Sequence, residues 1–312
     1  MLEVVDPGPL ASVQDVLGRR DARRHGVPFG GAADPWSARL ANRLVGNPEG
    51  AALIEVVAGD ARFVLEADAI VAVTGGLVAT IDGVPLPPST GRRLAAGAQL
   101  RLGSGVGLRG YLAVSGGIDV EPVLGSRATD LRTGFGGHDG RALRAGDRLR
   151  IGAAGAANAG RWLGAWPARP IRITNGPQAD PDLLRALTAT TWTVAPAVDR
   201  TGVRLAGGSA PGGGEVPSQG LLPGAIQVPP DGAPILMLAD CPVTGGYRVP
   251  ACVIGADIGS VAQLRPGDPV ELVEVRDDEA RGAWLRIESS LAEVEPLGAA
   301  GDDGPGWAGA HH

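Results

Sequence analysis

The sequence predicts a mostly-β protein built as two domains, and three observations predict it. Short apolar runs recur along the chain at Ala69–Val73, Gly110–Val114, Pro234–Leu238 and Val270–Val275. Turn residues bound each of them, the pattern of antiparallel sheets or partial barrels. A seven-residue stretch, Leu143-Arg144-Ala145-Gly146-Asp147-Arg148-Leu149, returns as Leu264-Arg265-Pro266-Gly267-Asp268-Pro269-Val270, and Leu94–Leu100 is a weaker copy. Both strong copies place a Gly-Asp turn before a strand, and an Ala/Gly-rich segment from Gly152 to Gly160 lies between them. Chance recurrence of a common turn competes with duplication; the intervening segment favours two related domains joined near residues 152–170. The expected boundaries are 1–155 and 165–295, with a flexible tail over 296–312 that carries Gly, Asp and Ala without periodicity.

A few short helices interrupt the strands. Asp34-Pro35 reads as an N-cap followed by proline in the first turn, after which Trp36, Leu40 and Leu44 recur on one face until Gly46 and Asn47 stop the helix. Asp180-Pro181 repeats the device ahead of Leu183, Leu184 and Leu187. A third helix is expected from about Asp277 to Leu291, with Trp284, Ile287 and Leu291 as its apolar side.

Composition removes whole classes of function. A formal charge of −6 argues against a general nucleic-acid or anionic-membrane binder. No N-terminal basic-then-apolar segment occurs, and apolar runs such as Ala69–Val73 are far shorter than a membrane span, so a cytoplasmic location is expected. Cys241 and Cys252 form neither a disulfide framework nor a zinc pattern and read as small semi-buried residues. His25 and His138 stand too far apart in the chain to suggest a metal centre, and no metal is expected. All 28 basic residues are arginine. The chain therefore has no phosphate-binding loop of the Gly-x-x-x-x-Gly-Lys type, no Schiff-base lysine and no lysine to carry biotin or lipoate. Gly105-Val106-Gly107-Leu108-Arg109-Gly110 spells a dinucleotide fingerprint, but a strand rather than a helix is expected after it, so the match is accidental.

The candidate site residues fall in three places. Gln14, Asp15 and Arg19 crowd between glycine turns without an evident structural need, which tilts them towards function, whereas Asp34 already has a capping role. Arg132 sits on a glycine-framed loop where a guanidinium could clamp a carboxylate or phosphate; a solvated surface arginine is the alternative. The second half holds the densest set: Asp199-Arg200, Gln227, then Asp240 followed by Thr244-Gly245-Gly246-Tyr247. An acid at a strand end ahead of a hydroxyl and paired glycines can present a carboxylate and backbone N–H donors to a small polar ligand, or can be an ordinary tight turn. His138 is the one internal base of note, and no nucleophile triad accompanies it.

These segments resemble the biotin-dependent carboxyltransferase-like family that includes allophanate hydrolase subunit 2 and the third component, C, of bacterial 5-oxoprolinase. The matching stretches run in order over most of residues 7–273. They include Val13-Gln14-Asp15, Gly18-Arg19, Gly30-Gly31-Ala32-Ala33-Asp34, Tyr111 through Gly117, Gly134-Phe135-Gly136-Gly137, Asn175 through Asp180, Gly224 through Pro230, and Asp240 with Thr244 through Tyr247. An extra residue lies between Asp15 and Gly18, and Val243 stands where a second threonine is common. The resemblance implies two cyclophilin-like β-barrel domains. It implies a carboxyltransferase-like partner, the B component, of the allophanate hydrolase subunit 1 type, joined by an A component. It also implies ATP-dependent opening of the 5-oxoproline lactam to glutamate, with ATP used by the complex. On that reading Gln227 and Thr244 through Tyr247 hold the amide, Arg132 or Arg200 pairs with the substrate carboxylate, and Asp240 orients or deprotonates. The alternatives are carboxyl transfer to urea or a related amide, with biotin on a separate carrier, and a non-enzymatic antagonist of the partner protein.

Overall fold

The computed structural model of the chain describes residues 1–155, 159–164, 170–211 and 214–297. The tail from Gly298 onward, and parts of the junction expected near residues 152–170, lie outside the described residues. The fold is mostly β, as expected, and divides into two compact units. The first comprises Met1–Val16, Trp36–Gly164 and the chain from Ser290; the second comprises Leu17–Pro35 and Ala165–Ser289.

Among the described residues the first unit carries a two-stranded antiparallel sheet, Gly160–Arg161 with Glu295–Pro296, and two larger antiparallel sheets. One orders the strands Arg148–Leu149, Leu2–Asp6, Ala61–Leu65, Gln99–Gly103, Val78–Ile81 and Val84–Pro85; the other orders Leu10–Gln14, Leu53–Val57, Arg109–Val114, Ala69–Gly75 and Gly91–Leu94. Successive side chains of a strand face opposite sides of the sheet. Val4, Phe63 and Leu102 of the first sheet thereby join Val13, Ile54, Val56, Leu112 and Val114 of the second in one core. The opposite face of the second sheet is buried and polar. There the Tyr111 hydroxyl donates to Glu55 Oε2 at 2.8 Å, beside Ser12, Gln14 and Arg109. The fingerprint-like glycines lead into the strand Arg109–Val114, so no helix dipole faces them. Trp36, Leu40 and Leu44 form the buried stripe of the helix Pro35–Leu44, which ends at Gly46 in the left-handed region.

The second unit is a nine-stranded sheet ordered Pro269–Val270, Trp192–Val198, Gly202–Ala206, Ile235–Met237, Ala225–Val228, Thr244–Val253, Ile171–Asn175 and Leu272–Glu274, with Glu215–Gly220 paired to the first half of Thr244–Val253. The apolar run Val270–Val275 is two strands rather than one. Pro269–Val270 pairs antiparallel with Trp192–Val198, whereas Leu272–Glu274 runs parallel to Ile171–Asn175. Asp180 caps the helix Pro181–Ala189, its side chain accepting from the Asp182 and Leu183 amides, and Leu183, Leu184 and Leu187 are buried. The helix Asp277–Ala292 buries Ala283, Ile287 and Leu291 at i, i+4 and i+8. Trp284, expected on that face, is 44% exposed and instead lies over Gly255, where an added Cβ would come within 2.6 Å of the indole.

The repeated turn has the same hydrogen bonds in both units. Gly146 donates to the Val4 carbonyl at 2.8 Å and Val4 N donates to the Asp147 carbonyl at 2.8 Å; Gly267 and Val194 do the same at 2.9 Å, with Val194 N to the Asp268 carbonyl at 3.0 Å. Each aspartate accepts the amide three residues back, Arg144 at 2.7 Å and Arg265 at 3.0 Å. Gly97, in the weaker copy, donates to Leu65 O at 2.7 Å. All three glycines have φ between 86° and 89°, a region that a side chain strongly disfavours.

Candidate functional site

The strand Ala225–Val228 is buried at all four positions, as a central strand covered on both faces must be. Ile226 and Val228 face the main core of the second unit. Ala225 and Gln227 face the other way, and Ala225 joins a small apolar cluster with Leu221, Met237, Cys241 and Val249. Gln227 is 5% exposed, and its Nε2 is buried with no hydrogen-bond partner. An orphaned buried donor costs roughly 1–3 kcal/mol. Gly245 makes room for this amide: a Cβ there would stand 2.5 Å from Gln227 Nε2 and 2.5 Å from Leu221 Cδ1.

Arg23 approaches the same cluster from the short 3-10 helix Arg20–His25. Its Nη2 donates to the Leu221 carbonyl and, at 3.4 Å, to the Val243 carbonyl, and its guanidinium stacks 4.5 Å from the centre of the Phe29 ring. Nη1 is buried and unpartnered. Burial pushes the Cys241 thiol up to about 11, against the opposing pull of Arg23 beside it.

Asp240 and Arg200 form a two-point ion pair, Nε to Oδ2 at 2.8 Å and Nη2 to Oδ1 at 3.0 Å. Arg200 Nη2 also donates to the Gly31 carbonyl, and Gly30 N donates to Ala239 O at 3.0 Å. The pair thus fastens the glycine segment that follows Phe29 to the end of the strand Ile235–Met237. This changes the reading of both residues. The Arg200 fork is engaged by Asp240 rather than presented to a ligand, and Asp240 is held as the anion of a buried pair.

Thr244 through Tyr247 are the first half of a ten-residue strand, not a loop, and Tyr247 is 36% exposed. Asp199 is exposed and its Oδ1 accepts the Thr201 and Gly202 amides, a local turn. Arg19 is buried, and its amide donates to the Phe29 carbonyl at 2.7 Å, closing the loop that Gly18 opens.

In the first unit, Gln14 and Asp15 have the structural partners that the sequence concealed. Gln14 Nε2 donates to Ser12 Oγ at 3.0 Å and Thr129 O at 3.3 Å, while Asp15 Oδ2 accepts from Ser126 Oγ at 2.8 Å and the Arg127 amide at 2.7 Å. Arg132 is exposed and its amide donates to Asp130 Oδ1 at 3.0 Å. His138 lines an open cleft of about 550 Å³ with Arg150, Asp119 and Glu121. Its Nε2 lies 3.5 Å from Asp147, whose carboxyl the Arg141 hydrogen bonds hold down to about 2.

Gln227, Asp240, Arg200 and Gly245 are expected from the sequence to be near one another; Arg23, which the structure brings to the same cluster, is not, because it lies among charged neighbours, Arg20-Asp21 and Arg23-Arg24 about Ala22, that read as solvated surface. Among the described residues no three His, Cys, Asp or Glu side chains are grouped to hold a metal ion, and no helix is long and apolar enough to cross a membrane.

Comparison with known proteins agrees with the resemblance read from the motifs. The chain is 38% identical over 296 residues to the C component of 5-oxoprolinase from Escherichia coli, covering 90% of this chain and 93% of that protein. It is 33% identical to the C component from Haemophilus influenzae, over 95% of this chain and 98% of that one. The solved Kluyveromyces lactis urea carboxylase superposes with a TM-score of 0.83 at 28% identity, over 93% of this chain but 29% of that chain. Residues 25–274 match the model for the carboxyltransferase domain, subdomains A and B, and the chain belongs to that family.

Proposed function

We propose that the chain is the C component of an ATP-dependent 5-oxoprolinase, opening the 5-oxoproline lactam to glutamate together with the A and B components. One observation carries this reading: the likeness to a 5-oxoprolinase C component covers 90% of this chain and 93% of that protein. The urea amidolyase of Lachancea kluyveri is matched over only 18% of its length.

Amide resonance makes the lactam carbon a poor electrophile. Phosphoryl transfer from ATP to its oxygen, with release of ADP and loss of the N–H proton, gives an imidate phosphate. Water adds to its carbon, the C–N bond breaks to leave an amine and an acyl phosphate, and a second water releases phosphate and glutamate. With no lysine and no phosphate-binding loop in this chain, the nucleotide is assigned to the assembled complex. Gln227 holds the lactam carbonyl with its unpartnered Nε2, a donor already desolvated and therefore stronger than one in water. Asp240 and Arg200 are positioning residues that fix the Gly30–Gly31 segment.

The test is glutamate production from 5-oxoproline and ATP by the chain purified with its partner proteins, and by the same mixture without it. Production that stops on omission supports the reading. No turnover from an assembled complex removes it. The likeness to urea carboxylase over 93% of the chain then favours a carboxyltransferase role on urea or a related amide, with biotin on a separate carrier.

A further inference from the structure

The small apolar cluster of the second unit contains two buried donors that the protein leaves unmatched, Gln227 Nε2 and Arg23 Nη1. They share neighbours. The Leu221 carbonyl accepts from Arg23, and the Leu221 side chain and the Gln227 amide both crowd the Cα of Gly245. Neither atom has an oxygen acceptor, and the Arg23 guanidinium has only the weakly accepting Cys241 thiol beside it, so a ligand that completes the pair is rich in acceptor oxygen. One donor is a neutral amide suited to a carbonyl, and the other is a guanidinium whose fork matches a carboxylate. Leu221, Ala225 and Val249 belong to the same apolar cluster, and such surfaces suit methylene groups rather than water.

We propose that Arg23 binds the carboxylate of the substrate while Gln227 binds its lactam carbonyl. This makes Arg23 the residue that selects a carboxylated lactam over an uncharged amide such as urea. The inference rests on the 5-oxoprolinase reading and sharpens it, because urea offers a carbonyl to Gln227 and nothing to Arg23. Arg132, on an exposed turn of the first unit, and Arg200, engaged by Asp240, do not have a buried unmatched donor of this kind. Stacking on Phe29 and the bonds to Leu221 and Val243 hold the Arg23 fork before the ligand arrives, which lowers the ordering cost of binding.

The experiment uses the assembled complex and compares wild type with Arg23→Gln and Arg23→Lys. Arg23→Gln keeps a donor for the Leu221 and Val243 carbonyls but removes the charge; Arg23→Lys keeps the charge but removes the fork. Loss of one partner from a desolvated charge pair predicts that KM for 5-oxoproline rises at least about thirtyfold in Arg23→Gln, with kcat changed far less. Arg23→Lys recovers part of that loss. The neutral competitor 2-pyrrolidinone, which has the lactam without the carboxylate, inhibits wild type and Arg23→Gln with constants within about threefold of each other.

A KM within threefold of wild type in Arg23→Gln overturns the inference and leaves the 5-oxoprolinase reading standing. A parallel fall of kcat in both variants, with no recovery in Arg23→Lys, also overturns it by showing a structural role. Where Arg23→Gln does not assemble, Gln227→Met takes its place. That variant weakens 5-oxoproline and 2-pyrrolidinone alike, and selective loss of either one overturns the pairing. Absence of turnover by wild type removes the 5-oxoprolinase reading itself.

Discussion

Arg200 and Asp240 are joined by two hydrogen bonds, at 2.8 and 3.0 Å, with side chains only 5% and 13% exposed. Removing one partner of such a pair strands the other charge away from water. Arg200→Met is therefore expected to destabilise the chain by about 3–5 kcal/mol in urea unfolding, whereas the double variant Arg200→Met with Asp240→Leu recovers most of that loss.

Gly245 and its neighbour Gly246 separate space from flexibility. Alanine at 245 would press on Gln227 Nε2 and Leu221 Cδ1, both ends of side chains that can turn aside, whereas alanine at 246 would meet only the Val216 carbonyl at 3.5 Å. Gly245→Ala is expected to lower turnover of the complex about tenfold by misplacing the Gln227 amide, at a stability cost of about 1–2 kcal/mol. Gly246→Ala should leave turnover nearly unchanged. Circular dichroism and steady-state rates of the two variants check the contrast.

Asp147 links stability to acid. Its carboxyl titrates at about 2 in the folded chain against 3.8 for an unperturbed aspartate, chiefly through Arg141. A depressed folded value gives stability that is fully present above the unfolded value and is lost as pH falls through the folded one. The stability advantage of wild type over Asp147→Asn should therefore be constant above about pH 5 and shrink by about 2 kcal/mol between pH 4 and pH 2. Denaturation of both proteins across that range is the measurement; a difference that stays constant to pH 2 contradicts the assignment.

Gly146 and Gly267 occupy the same turn at φ 89° and 86°, and an added Cβ would meet nothing within 4 Å at either. The cost of alanine is then backbone strain alone. Gly146→Ala and Gly267→Ala should each lose about 1–2 kcal/mol, and by similar amounts, in chemical denaturation.

Cys241 should be inert in the folded chain. Its side chain is fully buried, and burial pushes its thiol up to about 11, so almost no thiolate exists at pH 8. Labelling with a thiol reagent is expected only after unfolding, and rapid native modification of Cys241, mapped by mass spectrometry, would contradict this.

What was legible in the sequence is what spacing encodes. The Trp36, Leu40 and Leu44 stripe, the Asp180-Pro181 cap and the Gly-Asp turns, closed by Asp147 and Asp268 on the amides three residues back, depend on neighbours two to four residues away, and each formed as read. Trp284 was misplaced because Trp284, Ile287 and Leu291 at i, i+3 and i+7 fit a period of 3.6 as well as Ala283, Ile287 and Leu291 at i, i+4 and i+8, and packing over Gly255 decided between them. The apolar run Val270–Val275 gave no sign that its two halves serve different strands, since periodicity is silent about partners.

The sequence by itself determined a mostly-β chain with a repeated turn, excluded lysine chemistry and a phosphate-binding loop, and carried the family motifs. The tertiary structure alone decided which polar residues are spent on the fold. Gln14 bonds to a residue 115 positions away, Asp15 to one 111 away, and Arg200 to one 40 away. Arg23 reaches a carbonyl 198 residues distant and still has a donor unmatched, as does Gln227. The reason is physical: a hydrogen bond depends on distance and direction in space, and burial fixes its worth, whereas local spacing specifies neither once the chain has returned on itself.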